Sequence, residues 1–234
     1  MAQEVTRIAD PAAFAAATKV SRETLARLNL YESLLKVWQP RINLVANPTL
    51  IDVWHRHFYD SAQLLRLIPA EARALVDLGS GAGFPGLVLA ILLDSQGWPP
   101  AVGQAGDGGQ NAGDARRYVL VESDRRKCAF LREVARQTGT AVDILSTRIE
   151  NPETHVKVGK ADVVTARALA PLDRLFDLAQ PMFKAEAVGL FLKGRNAEAE
   201  IGAARARWEF SAELVPSVTA EDASVVVVRE LRRR

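Results

Sequence analysis

The chain has 234 residues, of which 48% are hydrophobic, enough to bury one α/β core together with a small appended unit. Its 30 lysines and arginines nearly balance 28 aspartates and glutamates, so the formal net charge is only +2. This balance excludes a general polycation, and any RNA-binding surface must therefore be local.

Cysteine content and apolar runs indicate the compartment. The single cysteine, Cys128, excludes a disulfide framework and a cysteine metal site and favours a reducing environment, where we expect it to be a small buried residue. The longest apolar run, 87–93, is too short to cross a membrane, and the N-terminus does not have the layout of a secretory signal. We therefore expect a cytoplasmic protein with no membrane contact.

The first 70 residues are predicted to be a helical extension, 1–70, that precedes the main domain, 71–234. Asp10 and Pro11 have the pattern of a helix cap followed by a first-turn proline. Apolar residues then recur at helical spacing from Leu25 to Trp38, and a further helix is predicted over 50–67.

From Ala74 onward, short apolar runs alternate with helical patterns. Strands are predicted at 74–78, 118–122, 142–145, 161–166 and 187–192, and helices at 85–93, 124–137, 171–183 and 197–207. This alternation predicts an α/β fold with a parallel, doubly wound sheet. We expect the apolar run 224–229 to complete the sheet, as an antiparallel edge. The segment 96–117 holds six glycines and two adjacent prolines, and is predicted to be a flexible surface insertion.

A glycine-rich loop follows the first strand. Gly79, Gly81 and Gly83 allow a tight turn and a close approach of the backbone to a ligand. From Gly81 the string fits the G-x-G-x-x-G pattern of dinucleotide-binding proteins. Read from Asp77 it is D-x-G-x-G-x-G, which resembles the first motif of class I S-adenosylmethionine-dependent methyltransferases. An ordinary glycine-rich turn is the third interpretation.

Polar side chains end the next strands of the predicted sheet, at the edge where open α/β sheets bind ligands. Glu122 has two acceptor oxygens for the ribose hydroxyls of an adenosine, although it could also cap the next helix. Ile149 and Glu150 would face the adenine. Arg167 and Lys193 end the fourth and fifth strands near the same pocket, where the alternatives are a solvated arginine and a plain edge lysine.

The motifs together resemble those of the bacterial small-subunit ribosomal RNA methyltransferase G family, also called the glucose-inhibited division protein B family. The resemblance covers about residues 25–195 and rests on motifs in this order: Asn43-Leu44, His57 with Asp60-Ser61, Asp77 to Gly86, Glu122-Ser123, Phe130-Leu131-Arg132, Arg148-Ile149-Glu150, Arg167-Ala168 and Leu192-Lys193-Gly194.

The resemblance implies a class I, Rossmann-like fold and S-adenosyl-L-methionine-dependent methylation of N7 of a guanosine in 16S rRNA. It places cofactor contacts at Gly79, Phe84, Ile149, Glu150 and Arg167. The chain departs from the family in its long glycine-rich insertion and in Glu122, where many relatives carry aspartate.

The implied reaction needs positioning more than proton transfer, because guanine N7 has an in-plane lone pair and no proton. We expect His57 and Lys193 to be the catalytic candidates. His57 and Asp60 share a helical face that could point into the pocket, or could tie the extension to the sheet. Arg167 and Lys193 could hold a phosphate or the guanine O6.

Two other classes of function stay open on the sequence. A nicotinamide-dependent oxidoreductase would use the same glycines, but none of the three tyrosines, Tyr31, Tyr59 and Tyr118, has a lysine four residues later. A non-catalytic RNA-binding module is the second alternative. For the methyltransferase we expect 16S rRNA or the 30S subunit as partner, no metal, and a monomer.

Overall fold

The computed structural model describes residues 7–96 and 116–234. Within them, seven strands form one sheet in the order β3-β2-β1-β4-β5-β7-β6. The strands are β1 Ala74–Leu78, β2 Arg117–Glu122, β3 Asp143–Ser146, β4 Ala161–Arg167, β5 Phe183–Lys193, β6 Trp208–Pro216 and β7 Ser224–Arg233. The first five strands are parallel to one another, and β7 is antiparallel to both β5 and β6.

The helices of the described residues cover both faces of the sheet, and the first four of them belong to the extension. They are α1 Pro11–Thr18, α2 Arg22–Trp38, α3 Asn47–Leu50, α4 Asp60–Ala62, α5 Gly86–Asp94, α6 Arg125–Thr138, α7 Pro152–Val158, α8 Leu172–Ala179 and α9 Ala197–Ala204. Because helices cover both faces, the central strands β1 and β2 are almost entirely buried and read as continuous apolar runs.

The prediction of one continuous helix over 50–67 is wrong. Its residues form the end of α3, a π-helical segment Trp54–Tyr59, α4, and a 3-10 segment Gln63–Leu67. The π-helical segment buries Trp54, His55, His57 and Phe58, four of its six residues. A regular α-helix turns only one stripe inward, so this wider turn is how four nearby side chains reach the core.

Three further boundaries differ from the prediction. The helix predicted over 171–183 ends at Ala179, and β5 begins at Phe183 rather than at 187. The predicted helix 197–207 ends at Ala204, and the strand after it, β6, was missed, as was helix α7. The apolar run 224–229 does form an antiparallel strand, but it lies between β5 and β6 and is not the edge. Strand β6 alternates apolar and polar residues from Trp208 to Leu214, and this period of two was the sequence signal for it.

The extension shares a hydrophobic core with the helices beside the glycine-rich loop. Phe14 of α1 and Leu28 and Leu35 of α2 are fully buried and lie in one cluster with Leu87 of α5 and Phe130 of α6. The extension therefore completes one face of the sheet. The division into 1–70 and 71–234 stays a prediction.

The predicted insertion 96–117 falls almost entirely outside the described residues. Only its ends, Gln96, Arg116 and Arg117, lie within them. In the described part of the chain, no helix is both long enough and apolar enough to cross a membrane.

Candidate functional site

The glycine-rich loop leaves β1 with its backbone in the left-handed region. Gly79, Gly81 and Gly83 have φ values of 66°, 57° and 92°. The loop is held to β2 because the N–H groups of Gly79 and Ser80 donate to the carbonyl oxygen of Val121, at 2.9 and 3.1 Å. A Cβ at Gly81 would have Gly79 O, at 3.8 Å, as its nearest described atom. This glycine therefore faces open space, as a cofactor-binding turn requires.

Two other glycines of the loop face the protein interior. A Cβ at Gly83 would collide with the hydroxyl of Tyr31 in α2, and one at Gly86 would lie 2.5 Å from the Cβ of Asp77. These positions need glycine for close packing of the loop against the extension and β1. The structure therefore places Gly83, a predicted cofactor residue, against α2.

A cavity of about 350 Å³ opens beside the loop, and we call it the nucleoside cavity. Glu122, at the end of β2, is 8% exposed and lines it. One carboxylate oxygen accepts from Gly81 N at 2.8 Å and the other from Asp124 N at 2.7 Å. Glu122 thus fixes both the glycine-rich loop and the start of α6, and each oxygen retains a second lone pair.

The far wall of the nucleoside cavity is the loop after β3, with Arg148, Ile149 and Glu150. Helix α7, which was missed from the sequence, holds this loop in place. The Thr154 hydroxyl donates to the Arg148 carbonyl at 2.8 Å, and His155 Nε2 lies 2.8 Å from the Ile149 carbonyl. The sequence signal for α7 was Asn151-Pro152, a cap followed by a first-turn proline.

A second cavity, of about 710 Å³, adjoins the first, and we call it the acceptor cavity. Its lining comes from the extension, from the ends of β4 and β5, and from the β6–β7 connection, and it includes Arg56, His57, Asp60, Arg167, Lys193 and Thr219. Leu169 and Ala170 line both cavities. The structure therefore brings the two catalytic candidates, His57 and Lys193, together in the acceptor cavity. The short stretch of chain at Leu169 and Ala170 separates this cavity from the nucleoside cavity.

His57 and Arg167 meet on the ring of Phe84. The imidazole stacks on Phe84 with a centroid distance of 4.9 Å, and the Arg167 guanidinium carbon lies 5.2 Å from the same centroid. Phe84, predicted to contact the cofactor, is buried beneath these two side chains. Burial, together with the charges of Arg167 and Arg56, lowers the pKa of His57 to about 3. The imidazole is therefore neutral at physiological pH.

Asp60 joins three parts of the structure. Its Oδ2 lies 3.5 Å from Arg167 Nη1, and its Oδ1 accepts from Thr219 at 2.7 Å and from Gln63 at 2.8 Å. Arg167 Nη1 also donates to the Arg56 carbonyl at 3.1 Å. These contacts tie the extension to both β4 and the β6–β7 connection, and they orient the Arg167 guanidinium.

Lys193 is held by two partners. Its ammonium lies 2.8 Å from Glu200 Oε2 in α9 and donates to the Ala170 carbonyl at 2.5 Å. The same oxygen of Glu200 accepts from Leu172 N at 2.9 Å. Sequence reasoning missed Glu200, because a glutamate in a short, alanine-rich helix carries no pattern that separates it from a solvated one.

The chain matches the family described as rRNA small subunit methyltransferase G over residues 24–97 and 112–227. This chain belongs to that family. It is 48% identical to a Ribosomal RNA small subunit methyltransferase G of Parvibaculum lavamentivorans over 225 residues, 96% of this chain and 91% of that protein. It is 51% identical to the protein of the same name from Paramagnetospirillum magneticum, over 92% of each chain. The predicted family resemblance is confirmed.

Solved structures confirm the class I methyltransferase fold. A candidate class I S-adenosylmethionine-dependent methyltransferase from Listeria monocytogenes has a TM-score of 0.58 at 13% identity, over 91% of this chain and 70% of that one. The cofactor-bound Rv0187 from MTB has a TM-score of 0.55 at 17% identity, over 97% and 99% of the two chains. At these identities the likeness concerns the fold alone.

The match to the methyltransferase G family leaves residues 98–111 unmatched. These residues fall inside the segment that the sequence marks as an insertion, 96–117. The family match resumes at residue 112, before β2, so the unmatched residues lengthen the chain between the glycine-rich loop and Glu122 relative to the family. The strands on either side, β1 and β2, are still neighbours in the sheet of the described residues.

Asp77, the first residue of the glycine motif, is fully buried at the end of β1. Thr165 of β4 donates to its Oδ1 at 2.7 Å. Burial raises the pKa of Asp77 to about 6, because desolvation penalises the carboxylate more than its hydrogen bonds stabilise it. Asp77 thus joins β1 to β4, and its carbonyl oxygen accepts from the Ser80 hydroxyl of the glycine-rich loop at 3.1 Å.

In the described ranges, no group of three or more histidine, cysteine, aspartate or glutamate side chains could hold a metal ion. Cys128 is buried, and its thiol donates to the Glu122 carbonyl at 3.2 Å. It therefore packs as a small core residue behind the strand end.

Proposed function

We propose that this protein transfers a methyl group from S-adenosyl-L-methionine to N7 of a guanosine in 16S ribosomal RNA. The observation that carries the proposal is the pair of adjoining cavities that share Leu169 and Ala170. One has the glycine-rich loop and a carboxylate suited to a nucleoside, and the other has cationic side chains suited to a nucleotide.

The residues of the nucleoside cavity fit the cofactor. Gly81 faces open space that any side chain would occupy. Glu122 offers lone pairs to ribose hydroxyls, and its longer side chain, relative to aspartate, is accommodated because both oxygens are anchored by backbone N–H groups. Ile149 provides an apolar surface and Glu150 an acceptor beside the adenine. Gly79, which follows β1, also lines this cavity.

S-adenosyl-L-methionine supplies a methyl group activated by a positively charged sulfur. Guanine N7 presents a lone pair and no proton, so no side chain has to remove one. A neutral His57 is consistent with this chemistry, because a pKa of about 3 makes the imidazole a weak proton acceptor and the reaction requires no proton acceptor. We propose that the His57 imidazole, stacked on Phe84, provides a flat aromatic surface in the acceptor cavity that positions the guanine ring.

Arg167 and Arg56 supply the positive charge of the acceptor cavity. Arg167 is oriented by Asp60 and by the Arg56 carbonyl. A guanidinium in this position can donate to guanine O6, which leaves N7 free to accept the methyl group, or to the oxygens of a phosphate. The target nucleotide must leave its stack to enter the cavity, so we infer that it is presented unpaired or flipped.

We propose 16S rRNA within the small ribosomal subunit as the partner. A net charge of +2 gives little general attraction to RNA, so a structured subunit is a better substrate than free RNA of any sequence. The location of that substrate supports the bacterial cytoplasm as the compartment, and we propose that the protein acts as a monomer.

The test uses the purified chain, labelled S-adenosylmethionine, and 16S rRNA and 30S subunits from cells that lack this methyl group. We expect label in the 30S subunit and 7-methylguanosine as the modified nucleoside by mass spectrometry. Label in neither substrate would contradict the proposal. Calorimetry with S-adenosylhomocysteine and with NAD separates an oxidoreductase, and cofactor binding without transfer separates a non-catalytic RNA-binding module.

A further inference from the structure

We propose that Glu200 is a positioning residue that clamps, together with Lys193, the wall between the two cavities. The wall is the segment 168–172, which connects β4 to α8. The proposal rests on the proposed function, since it assigns the nucleoside cavity to the cofactor and the acceptor cavity to the RNA.

The wall needs support from outside. Ala168 has a φ of 51°, a left-handed conformation that residues other than glycine rarely adopt. Leu169 packs against the glycine-rich loop so closely that a Cβ at Gly79 would lie 2.7 Å from its Cδ1. Any shift of this segment therefore changes the shape of both cavities.

Glu200 caps α8 from another helix. The N-cap residue of α8 is Pro171, whose side chain has no acceptor to offer the first N–H groups of the helix. Glu200 Oε2 accepts from Leu172 N at 2.9 Å, and its negative charge is favourable at a helix N-terminus. A residue of α9 thus fixes where the wall ends and α8 begins.

Lys193 completes the clamp. Its ammonium lies 2.8 Å from the oxygen of Glu200 that binds Leu172, and it donates to the Ala170 carbonyl at 2.5 Å. Its side chain is only 10% exposed. Because the charge is neutralised by Glu200 and the ammonium is held by the wall, Lys193 is better placed to hold the segment than to bind an RNA phosphate.

The clamp makes a distinctive prediction. A lysine that contacts only the RNA would affect methyl transfer and leave cofactor affinity unchanged. A clamp affects both, because Leu169 and Ala170 line both cavities. The losses from removing Glu200 and from removing Lys193 should be similar, and the double variant should lose little more than either single variant, since both act on one segment.

The experiment compares Glu200→Ala, Glu200→Gln, Lys193→Ala and the double alanine variant with wild type. Glu198→Ala is the matched control, since Glu198 is exposed on the same helix and, among the described residues, lines neither cavity. Calorimetry with S-adenosylhomocysteine measures affinity, and transfer to 30S subunits gives kcat, both well below each variant's melting temperature.

We expect Glu200→Ala to weaken S-adenosylhomocysteine binding and to lower kcat, each about tenfold, the scale of one charge-assisted hydrogen bond. Glu200→Gln should restore part of both, since an amide oxygen can still accept from Leu172 N. Glu198→Ala should match wild type.

Three results would overturn the clamp. The first is a Glu200→Ala protein with wild-type affinity and kcat, even if its melting temperature falls. The second is a Lys193→Ala protein that loses transfer but keeps its affinity. The third is additive loss in the double variant. Absence of transfer by the wild-type chain would contradict the proposed function instead, and the affinities would still decide the clamp.

Discussion

Gly81 and Gly83 belong to one motif, yet they need glycine for different reasons. A Cβ at Gly81 would point into open space, whereas one at Gly83 would collide with the Tyr31 hydroxyl. Both have positive φ. The motif thus combines a residue that faces open space with a packing residue, and only the surrounding structure tells which is which.

Gly81→Val is expected to abolish cofactor binding, because a β-branched residue is strained at φ 57° and its side chain would enter the nucleoside cavity. Calorimetry with S-adenosylhomocysteine measures the loss, which should be at least about tenfold. Gly202→Ala is the control, since a Cβ there meets no atom of the described residues within 4 Å. A Gly81→Val protein that binds normally would remove Gly81 from the cofactor site.

His57 shows how burial sets a charge state. Its pKa is about 3 in the folded protein, against an ordinary value of 6.5. Between these two values the unfolded chain takes up a proton that the folded protein does not. The free energy of unfolding must therefore fall as pH decreases through this window.

His57→Phe keeps an aromatic ring on Phe84 and removes the titration. We expect wild type to lose up to about 2 kcal/mol more of its free energy of unfolding than the variant does between pH 7 and pH 5. Urea denaturation at the two pH values measures this difference. Asp77 titrates in both proteins, so its opposite contribution cancels.

Thr49→Val is the control for the His57 experiment. It removes the 2.8 Å hydrogen bond to His57 Nε2 and retains the imidazole, so it should keep the wild-type pH dependence. Equal pH dependence of wild type and His57→Phe would show that His57 is not held neutral by burial.

At the scale of elements, the β6–β7 connection is attached to the extension by side chains. Asp60 accepts from the Thr219 hydroxyl, His55 Nε2 lies 3.0 Å from the Thr219 carbonyl, and Gln63 accepts from Val218 N at 3.1 Å. These contacts close the acceptor cavity on one side. The π-helical segment contributes His55 to these contacts and turns it inward together with His57.

Asp60→Ala should lower the free energy of unfolding by about 3 kcal/mol, because it leaves the Arg167 guanidinium, only 18% exposed, without its carboxylate and removes the hydrogen bonds to Thr219 and Gln63. Urea denaturation measures the change. Asp52→Ala is the matched control, since Asp52 pairs with a largely exposed Arg7 and should cost less than about 1 kcal/mol. Equal losses in the two variants would show that Asp60 does not join these elements.

At the scale of the whole molecule, the extension and the sheet share one core. Leu35 of α2 is fully buried in the cluster that includes residues of α5 and α6. The extension therefore cannot leave the sheet without exposing the apolar surface beside the glycine-rich loop. We infer that the two parts fold together, although the chain divides near residue 70 by pattern.

Leu35→Ala should lower the free energy of unfolding by about 3 kcal/mol and retain a single transition, because it leaves a cavity in a shared core. Denaturation followed by tryptophan fluorescence and by far-UV circular dichroism should give coincident curves. Val37→Ala, on the same helix but at a residue that is 63% exposed, should change stability by less than about 0.5 kcal/mol. Separate transitions would mean that the extension folds independently.

Local patterns determined which runs of the chain form the parallel strands. The runs that became β1, β2 and β4 have apolar centres, because helices cover both faces of the sheet, and such short apolar runs can be recognised without tertiary knowledge. The glycine motif and Glu122 could also be predicted, since each follows directly from a strand end. The family resemblance extended this to the activity, which the residues alone left open between cofactors.

Only the tertiary structure decided which residues face a cavity and which support one. Gly83 and Phe84 lie in the motif but pack against the extension, and Glu200 lies in a predicted helix that has no functional motif but reaches the wall between the cavities. Such roles depend on contacts between residues distant in the chain, and no local period encodes them. The π-helical turn was missed for the same reason, because packing partners and not helix propensity stabilise it.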